Sequence, residues 1–495
     1  MSFNSVEFLI FFFVVLLGYW LLPHKHRKYW LLAASYIFYM SWNAWLIFLI
    51  VGTTVVSYIA GIMIDKVEGV KTKKWLVAIT LIVCLGTLAI FKYLDFFTQS
   101  AFSLLGLFGL QLEAPIFGLL LPVGISFYTF QTLSYVIDVY RKKCEVEKNF
   151  IYYALYVTFF PQLVAGPIER STNLLHQFKE EKKACVEDFT QGFRFMLYGY
   201  FKKICIADVV GMYVNNAFGN IATSNGLTFW LAGILFTVQL YCDFSGYSDI
   251  ATGCARMMGI KLMKNFDRPL LATGFRDYGR RWHISLNSWF MEYVYFPLGG
   301  SRKGRFRKYL NLVIVFTLSG LWHGASWTFV VWGLLIGVQN ILEDLLRPVY
   351  HKICDKLHID NNNEGVKMIR RIIMLLFVGF TGTFFRAQTM SDAVWIVGKM
   401  FTDFGFSMDY FTSIFTILDM NAYMLIQLFI ALIILVKGYD MCYPTEKSLF
   451  SINAKGHTAE ALRLNTYLYY ILMIAVIWVM AASGNMSSQF IYFQF

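Results

Sequence analysis

The chain has 495 residues, of which 57% are hydrophobic and only 15% are charged, against about 25% charged residues in soluble domains. This composition excludes a soluble globular protein, and the apolar runs along the whole length indicate a polytopic membrane protein rather than a soluble domain with an anchor. The net charge of +12 is carried by short loops between apolar runs, as the positive-inside rule predicts, which disfavours nucleic acid as a partner.

The apolar runs predict membrane-crossing helices. Lipid offers no partner for bare backbone groups, and these runs are too long and continuous for the alternating strands of a barrel. Residues 8–22 form the first predicted crossing, and the basic cluster at 24–28 places its end in the cytoplasm. Residues 29–64 predict a hairpin, and 75–91 the next crossing. We expect an all-α fold with roughly 11–12 tilted transmembrane helices and a few re-entrant or interfacial helices.

Two later segments are too polar to face lipid. Residues 122–139, PVGISFYTFQTLSYVIDV, contain Tyr128 and Gln131 among several hydroxyl and amide groups. We expect this segment inside the bundle, facing a cavity or another helix. Asp243 and Ser245 follow a predicted crossing in the sequence YCDFSGYSD. They are candidates for lining a tunnel, and Asp243 can alternatively orient a histidine or cap a helix.

The longest polar segment, residues 261–308, is both basic and aromatic, which is typical of a cytoplasmic interfacial or re-entrant element. It contains the run Arg280-Arg281-Trp282-His283. The two arginines are candidates for binding an anionic donor, and Trp282 for lining its path. The alternative is that the basic residues only set the topology.

The next segment, residues 311–338, reads NLVIVFTLSGLWHGASWTFVVWGLLIGV and contains no charged residue. It exceeds the roughly 20 apolar residues that cross a bilayer, and it places His323 beside Trp322 in the middle. An ionisable group at membrane depth predicts a functional site, although a neutral histidine satisfied by a neighbouring helix is the alternative. Small residues such as Ser319 and Gly320 allow another backbone or a substrate to approach closely.

Acid–base chemistry is the function that these histidines predict. An imidazole with a pKa near 6.5 can take a proton from an attacking hydroxyl, an effect of about 10²–10⁴-fold. A metal site is the rival, but no third ligand stands at a suitable spacing from His283 or His323. We therefore predict no metal and no bound cofactor.

Several blocks resemble one family. WHISLNSWFMEYVYFPLGG and SGLWHGASWTFVVWG are similar to the signature of the membrane-bound O-acyltransferase (MBOAT) superfamily. FFPQLVAGPIER, YCDFSGYSDIATG and LPVGISFYTFQTLSYVIDVYR resemble further blocks of its bacterial alginate O-acetyltransferase (AlgI-like) branch. The resemblance covers most of residues 1–390 and the end of the sequence.

This resemblance implies a single integral-membrane domain over 1–495, in which a ring of helices surrounds a central tunnel. Residues 1–120 would be N-terminal helices, 121–390 the core with both histidines, and 391–495 further helices and an aromatic tail. His323 would match the catalytic histidine of the family and His283 its second histidine position. The resemblance places the protein in the bacterial cytoplasmic (inner) membrane.

The same resemblance implies the direction of the reaction. An acyl group, most simply acetyl, would come from a cytoplasmic thioester, either acetyl-CoA or an acyl carrier protein. It would leave toward an extracytoplasmic acetyltransferase of the SGNH type. Moving the acyl group alone avoids carrying a bulky polar donor across lipid.

The sequence ends in FIYFQF, which includes Tyr492. One interpretation is an aromatic belt where the last helix leaves the bilayer. The other is that it resembles a Phe-x-Tyr-x-x-Phe tail linked to bacterial envelope acylation. In that case the Tyr492 phenol would carry the acyl group, with His323 as its base.

We therefore predict an O-acetyltransferase that passes acetyl groups toward an exported cell-envelope polysaccharide. D-alanyl transfer to teichoic acid, the DltB-like reaction, is the alternative within the superfamily. A transporter for glycan or lipid and a scaffold for an envelope complex are alternatives from other classes.

Overall fold

The structure is a computed structural model that describes residues 1–110, 112–443, 459–482 and 490–491. Helices are the regular secondary structure of the described residues, which include no strand. The all-α prediction is therefore confirmed for the described part of the chain. Tyr492, the predicted acyl carrier, lies outside the described residues.

The α-helices follow one another along the chain, and the connections before α6 and before α13 are the longest of those described. In chain order they are α1 Val6–Leu21, α2 His24–Met40, α3 Ile47–Lys66, α4 Val70–Leu88, α5 Leu94–Leu107, α6 Ile125–Tyr140, α7 Phe150–Thr158, α8 Phe160–Leu163, α9 Ser171–Lys179, α10 Val186–Phe201, α11 Asp208–Gly219, α12 Gly226–Met257, α13 Phe275–Arg281, α14 Ile284–Phe290, α15 Gly304–His323, α16 Trp327–Lys356, α17 Glu364–Arg386, α18 Met390–Thr402, α19 Met408–Leu418, α20 Ala422–Cys442 and α21 Ala459–Ala482. Three π-helical segments interrupt them, at Ala89–Tyr93, Lys202–Ala207 and Met291–Tyr295.

The described residues include six helices that are long and apolar enough to cross a membrane. They are Ala44–Lys66, Val70–Leu107, Gly226–Met257, Trp327–Lys356, Glu364–Arg386 and Ala422–Asp440. The first of these includes the 3₁₀ turn Ala44–Leu46 before α3, and the second joins α4 and α5 through the π-helical segment between them. Shorter apolar helices occur as well, at Val6–Leu21, Met408–Leu418 and Tyr467–Val479. The protein is thus a polytopic membrane protein, and the number of roughly 11–12 crossings stays a prediction.

The described residues divide into two compact units. The first comprises residues 1–192, 251–264 and 324–326, apart from residue 111, and the second comprises 193–250, 265–323 and the described part of 327–495. Both histidines of interest belong to the second unit. The boundaries near residues 120 and 390 stay a prediction.

In the first unit, α6 is enclosed by other parts of the protein, as its polar composition predicts. Nearly all of its side chains are buried, including Tyr128 and Gln131. The Gln131 amide donates to the Tyr156 carbonyl oxygen at 2.6 Å. A Cβ atom at Gly61 of α3 would lie 2.8 Å from the Tyr135 ring. The polar face of α6 therefore faces other helices rather than lipid.

The segment 311–338 differs from the single crossing that its length suggests. It folds as a hairpin, because α15 ends at His323 and α16 begins at Trp327. The sequence Gly324-Ala325-Ser326 forms the break, where small residues favour a turn over a continued helix. Most of residues 342–371, which follow this hairpin, are also helical. They extend α16 to Lys356 and begin α17 at Glu364.

Candidate active site

His323 is placed by the contact between α15 and α16. A Cβ atom at Gly320 would lie 2.2 Å from the Phe329 carbonyl oxygen, and one at Gly333 would lie 2.3 Å from that of Phe316. Because only glycine permits this approach, the two backbones touch within one turn of His323. The position of the imidazole is therefore fixed by backbone contact rather than by a flexible loop.

Aromatic rings surround His323, whose exposed fraction is 6%. Its ring centroid lies 4.9 Å from that of Trp322, 5.3 Å from Trp332 and 5.4 Å from Phe385, each in an edge-on arrangement. Edge-on packing is a preferred geometry for such rings and limits their rotation. The walls around the imidazole are thus apolar and rigid.

His283 lies beside His323, at a distance of 6.3 Å between ring centroids. It is 1% exposed, and its ring packs edge-on against Phe244 at 4.6 Å and parallel to Phe266 at 6.4 Å. Its backbone is left-handed, with φ 43° and ψ 54°. A non-glycine residue rarely adopts this conformation, and such strain concentrates at functional sites.

Two asparagines hold the backbone around His283. The Asn265 carbonyl oxygen accepts from the Ile284 amide at 2.9 Å, and its Oδ1 accepts from the Ser285 hydroxyl at 2.9 Å. The Asn287 amide donates to the carbonyl oxygens of Trp282 and Gly279 at 2.7 and 2.8 Å. These bonds offset part of the backbone strain.

Burial lowers the pKa of the His283 imidazole well below its ordinary value, and the nearby His323 lowers it further. His283 is therefore a neutral imidazole, which can donate one hydrogen bond and accept another. Two adjacent histidines with unequal environments suit a division of roles between a proton acceptor and a polarising group.

The two histidines line one cavity of about 80 Å³. This volume is well above the roughly 10–15 Å³ that one water molecule requires. Among the predicted residues, Ser319 and Trp282 share the lining with both histidines. Asn287 also lines the cavity and was missed by sequence reasoning. The remaining walls are Phe236, Thr237, Leu240, Phe275, Tyr278, Gly279, Leu286, Phe316, Trp332, Ile336, Asn340, Val378, Gly382 and Phe385.

Asp243 and Ser245 lie elsewhere on α12, in contact with two buried lysines. Lys203 Nζ lies 2.7 Å from Asp243 Oδ1. Lys202 Nζ lies 2.8 Å from the Ser245 hydroxyl and 2.5 Å from Asp249 Oδ2. Asp243 Oδ2 accepts from the Ile491 amide at 2.8 Å, so that the described contacts of Asp243 are with Lys203 and Ile491 rather than with a histidine. The lysines were missed, although two charges within an apolar run were a signal.

The other predicted residues, Arg280, Arg281, Tyr128 and Gln131, do not line the cavity that contains both histidines. Arg280 is exposed, and Arg281 pairs with Asp277 at 2.7 Å. Tyr128 and Gln131 belong to the first compact unit. Within the part of the chain that the structure describes, no group of three or more His, Cys, Asp or Glu side chains is arranged to hold a metal ion.

Comparison with known proteins decides the family. The model of the membrane-bound O-acyltransferase family matches residues 146–385, which contain both histidines. The probable alginate O-acetylase AlgI of Pseudomonas putida is 34% identical over the whole of both chains. The chain belongs to the membrane-bound O-acyltransferase family. It is accordingly an enzyme that transfers acyl groups to oxygen.

Further relatives bear different names. The peptidoglycan O-acetyltransferase of Helicobacter pylori is 32% identical, over 80% of this chain and 79% of that protein. A more distant relative is the teichoic acid D-alanyltransferase of Streptococcus thermophilus. It is 26% identical, over 50% of this chain and 64% of that protein.

Proposed function

We propose that this acyltransferase passes acetyl groups from a cytoplasmic thioester through the bacterial cytoplasmic membrane toward hydroxyl groups of an exported cell-envelope polysaccharide. The donor is acetyl-CoA or an acyl carrier protein, and an outer SGNH-type acetyltransferase receives the acetyl group. The observation that carries the proposal is the pair His283 and His323 around one cavity. Relatives named for O-acetylation of alginate and peptidoglycan support the choice of acetyl.

In this proposal, His323 is the general base. An alcohol enters the cavity, and the imidazole takes its proton as the oxygen attacks the thioester carbonyl. The C–O bond forms, the C–S bond breaks, and the thiolate takes the proton back from the imidazolium. Neutral His283 donates a hydrogen bond to the carbonyl oxygen as negative charge develops there. The surrounding aromatic rings exclude water that would hydrolyse the thioester.

Transfer of D-alanine is the second candidate, because one relative is a teichoic acid D-alanyltransferase. A D-alanyl group carries an ammonium ion, which is costly to bury without a negative partner. The residues that line the described cavity include no carboxylate. This lining favours the uncharged acetyl group.

The first acceptor in the proposal is the Tyr492 phenol. A phenol with an ordinary pKa near 10 is mostly neutral at pH 7, so that it needs a base such as His323. Intact-mass analysis of the C-terminal peptide after donor exposure tests this step. An acetyl adduct that disappears in Tyr492→Phe is the expected result. Full transfer by Tyr492→Phe without any adduct would remove the step.

Chemical analysis of envelope polysaccharide, from cells with and without this gene, tests the overall proposal. Loss of base-labile acetate on deletion, with recovery by the wild-type gene but not by His283→Ala, is the expected result. Loss of ester-linked D-alanine with unchanged acetate would instead select the second candidate.

A further inference from the structure

The last two described residues, Phe490 and Ile491, are packed into the second compact unit. They are 1% and 4% exposed. The Ile491 amide donates to Asp243 Oδ2 at 2.8 Å, and the Phe490 ring packs edge-on against Tyr247 at 5.1 Å. Lys203 Nζ lies 4.6 Å from the centre of the Phe490 ring. This tail segment therefore has a backbone contact, an aromatic contact and a cation–π contact.

The groups that hold the tail are themselves a buried ion cluster. Lys203 Nζ lies 2.7 Å from Asp243 Oδ1 and 2.8 Å from Asp208 Oδ1, and these side chains are 1%, 4% and 3% exposed. Buried charges persist only when they are paired and hydrogen-bonded. The cluster orients Asp243 so that one oxygen faces the lysine and the other accepts from the tail.

The same part of α12 also contacts the histidine site. Phe244, the residue after Asp243, packs against His283. Residues 243–247 occupy little more than one helical turn of about 5.4 Å. This turn therefore contacts both the tail and His283.

We propose that Lys203, Asp208 and Asp243 form a tail latch, which holds residues 490–491 against α12 and thereby sets where Tyr492 is presented. Lys203 and Asp243 act as positioning residues. The consequence for acyl transfer rests on the proposed role of Tyr492, whereas the docking of the tail does not depend on that role.

The rival explanation is that the cluster only joins the π-helical segment Lys202–Ala207 to α12. Lys202 provides a matched control, since it is equally buried and its described ion pair is with Asp249. Its replacement removes the cation beside Asp249 on the same helix, outside the described contacts of the tail. A purely structural role predicts equal effects of the two lysines on the tail.

The test uses the full-length protein in detergent, with Cys185→Ser to remove an exposed native thiol and Ile491→Cys as a reporter that keeps the backbone amide. Maleimide labelling of position 491 is followed by intact mass. We expect Lys203→Met to speed labelling by about tenfold or more, because loss of charge-assisted contacts favours the undocked tail. Lys202→Met should change the labelling rate by less than about twofold.

Equal labelling rates in the two lysine variants, or no change in Lys203→Met, would overturn the latch. If Lys203→Met does not fold, Phe490→Ala changes only the tail and carries the same expectation of faster labelling. In parallel, acetyl transfer is compared between the wild type and Tyr492→Phe.

Faster labelling in Lys203→Met together with normal transfer by Tyr492→Phe would support the latch and remove the carrier role. Unchanged labelling in Lys203→Met together with lost transfer by Tyr492→Phe would remove the latch alone.

Discussion

At the scale of single residues, the environment of His283 depends on bonds that position its backbone. Asn265 Oδ1 accepts from both the amide and the hydroxyl of Ser285, at 3.3 and 2.9 Å. The left-handed backbone of His283 costs about 1–3 kcal/mol, so that weakening these bonds allows the imidazole to shift. A shift of about 1 Å is enough to lower a rate by 10²-fold.

We therefore expect Asn265→Ala to lower kcat for acetyl transfer by about tenfold or more while KM changes little. Ser248→Ala is the matched control, because it removes the bond that the Ser248 hydroxyl accepts from the Asn265 amide at 3.3 Å and leaves Asn265 Oδ1 in place. Steady-state kinetics of purified protein measure both. Equal kcat values for the two variants would contradict a positioning role.

A second residue-scale prediction concerns Glu169, a buried carboxyl group in the first unit. Burial raises its pKa to about 7, although hydrogen bonds from the Met263 amide and the Asn173 side chain and the charge of Arg170 lower it. Since the folded state holds this proton more tightly than the unfolded state, the group stabilises the fold most below pH 4.5. This contribution, about 3 kcal/mol, is lost as the pH rises toward 7.

We expect the melting temperature in detergent to fall between pH 5 and pH 8 by more in the wild type than in Glu169→Gln, which cannot titrate. Glu181→Gln, at an exposed position, should keep the wild-type pH dependence. If the melting temperature of Glu169→Gln depends on pH as in the wild type, titration of this buried carboxyl group does not cause the loss of stability.

At the scale of elements, the contact of α15 with α16 determines where His323 lies. A methyl group at Gly320 would meet the backbone of α16 at 2.2 Å, and backbone cannot rotate away. We expect Gly320→Ala to destabilise the protein by about 1–3 kcal/mol and to lower transfer by about tenfold or more.

Gly398→Ala in α18 is the control for this substitution, because a methyl group there meets nothing within 4 Å. It should be neutral or stabilise the helix by about 0.5–1 kcal/mol. Thermal unfolding and transfer rates measure both variants. Normal activity in Gly320→Ala would show that this helix contact does not position the imidazole.

Sequence reasoning predicted the character of these elements better than their ends. The polar face of α6 was predictable, because hydroxyl groups cannot face lipid without cost. The α15–α16 hairpin was missed because apolar content alone cannot distinguish one long crossing from two helices that meet at a turn. Gly324-Ala325-Ser326 was the available signal.

In the candidate site, too, sequence reasoning identified some residues and not others. His323 and His283 were predictable, since ionisable groups in apolar surroundings are costly. Asn265 and Lys203 were not assigned, because their roles arise from contacts with residues that lie further along the sequence. Hydropathy does not encode such contacts. Two lysines within an apolar run indicate a buried ion cluster but not its partner.

At the scale of the whole molecule, charge and hydropathy predict the orientation. The charged segment at residues 179–188, which contains Lys182, Lys183 and Cys185, should be cytoplasmic, because the positive-inside rule counts the lysines of such short loops. Cys185 is an exposed native thiol. We expect a membrane-impermeant maleimide to label it in opened membranes but not in intact cells. Labelling in intact cells would contradict a cytoplasmic entry of the donor.

The central claim is that His323 takes the proton of the alcohol that receives the acyl group. The most direct measurement is the transfer of radiolabelled acetyl groups from a thioester donor by purified wild type and His323→Gln in the same lipid. The account predicts a loss of about 10²–10⁴-fold, with the melting temperature little changed. Wild-type transfer by a folded His323→Gln protein would contradict it.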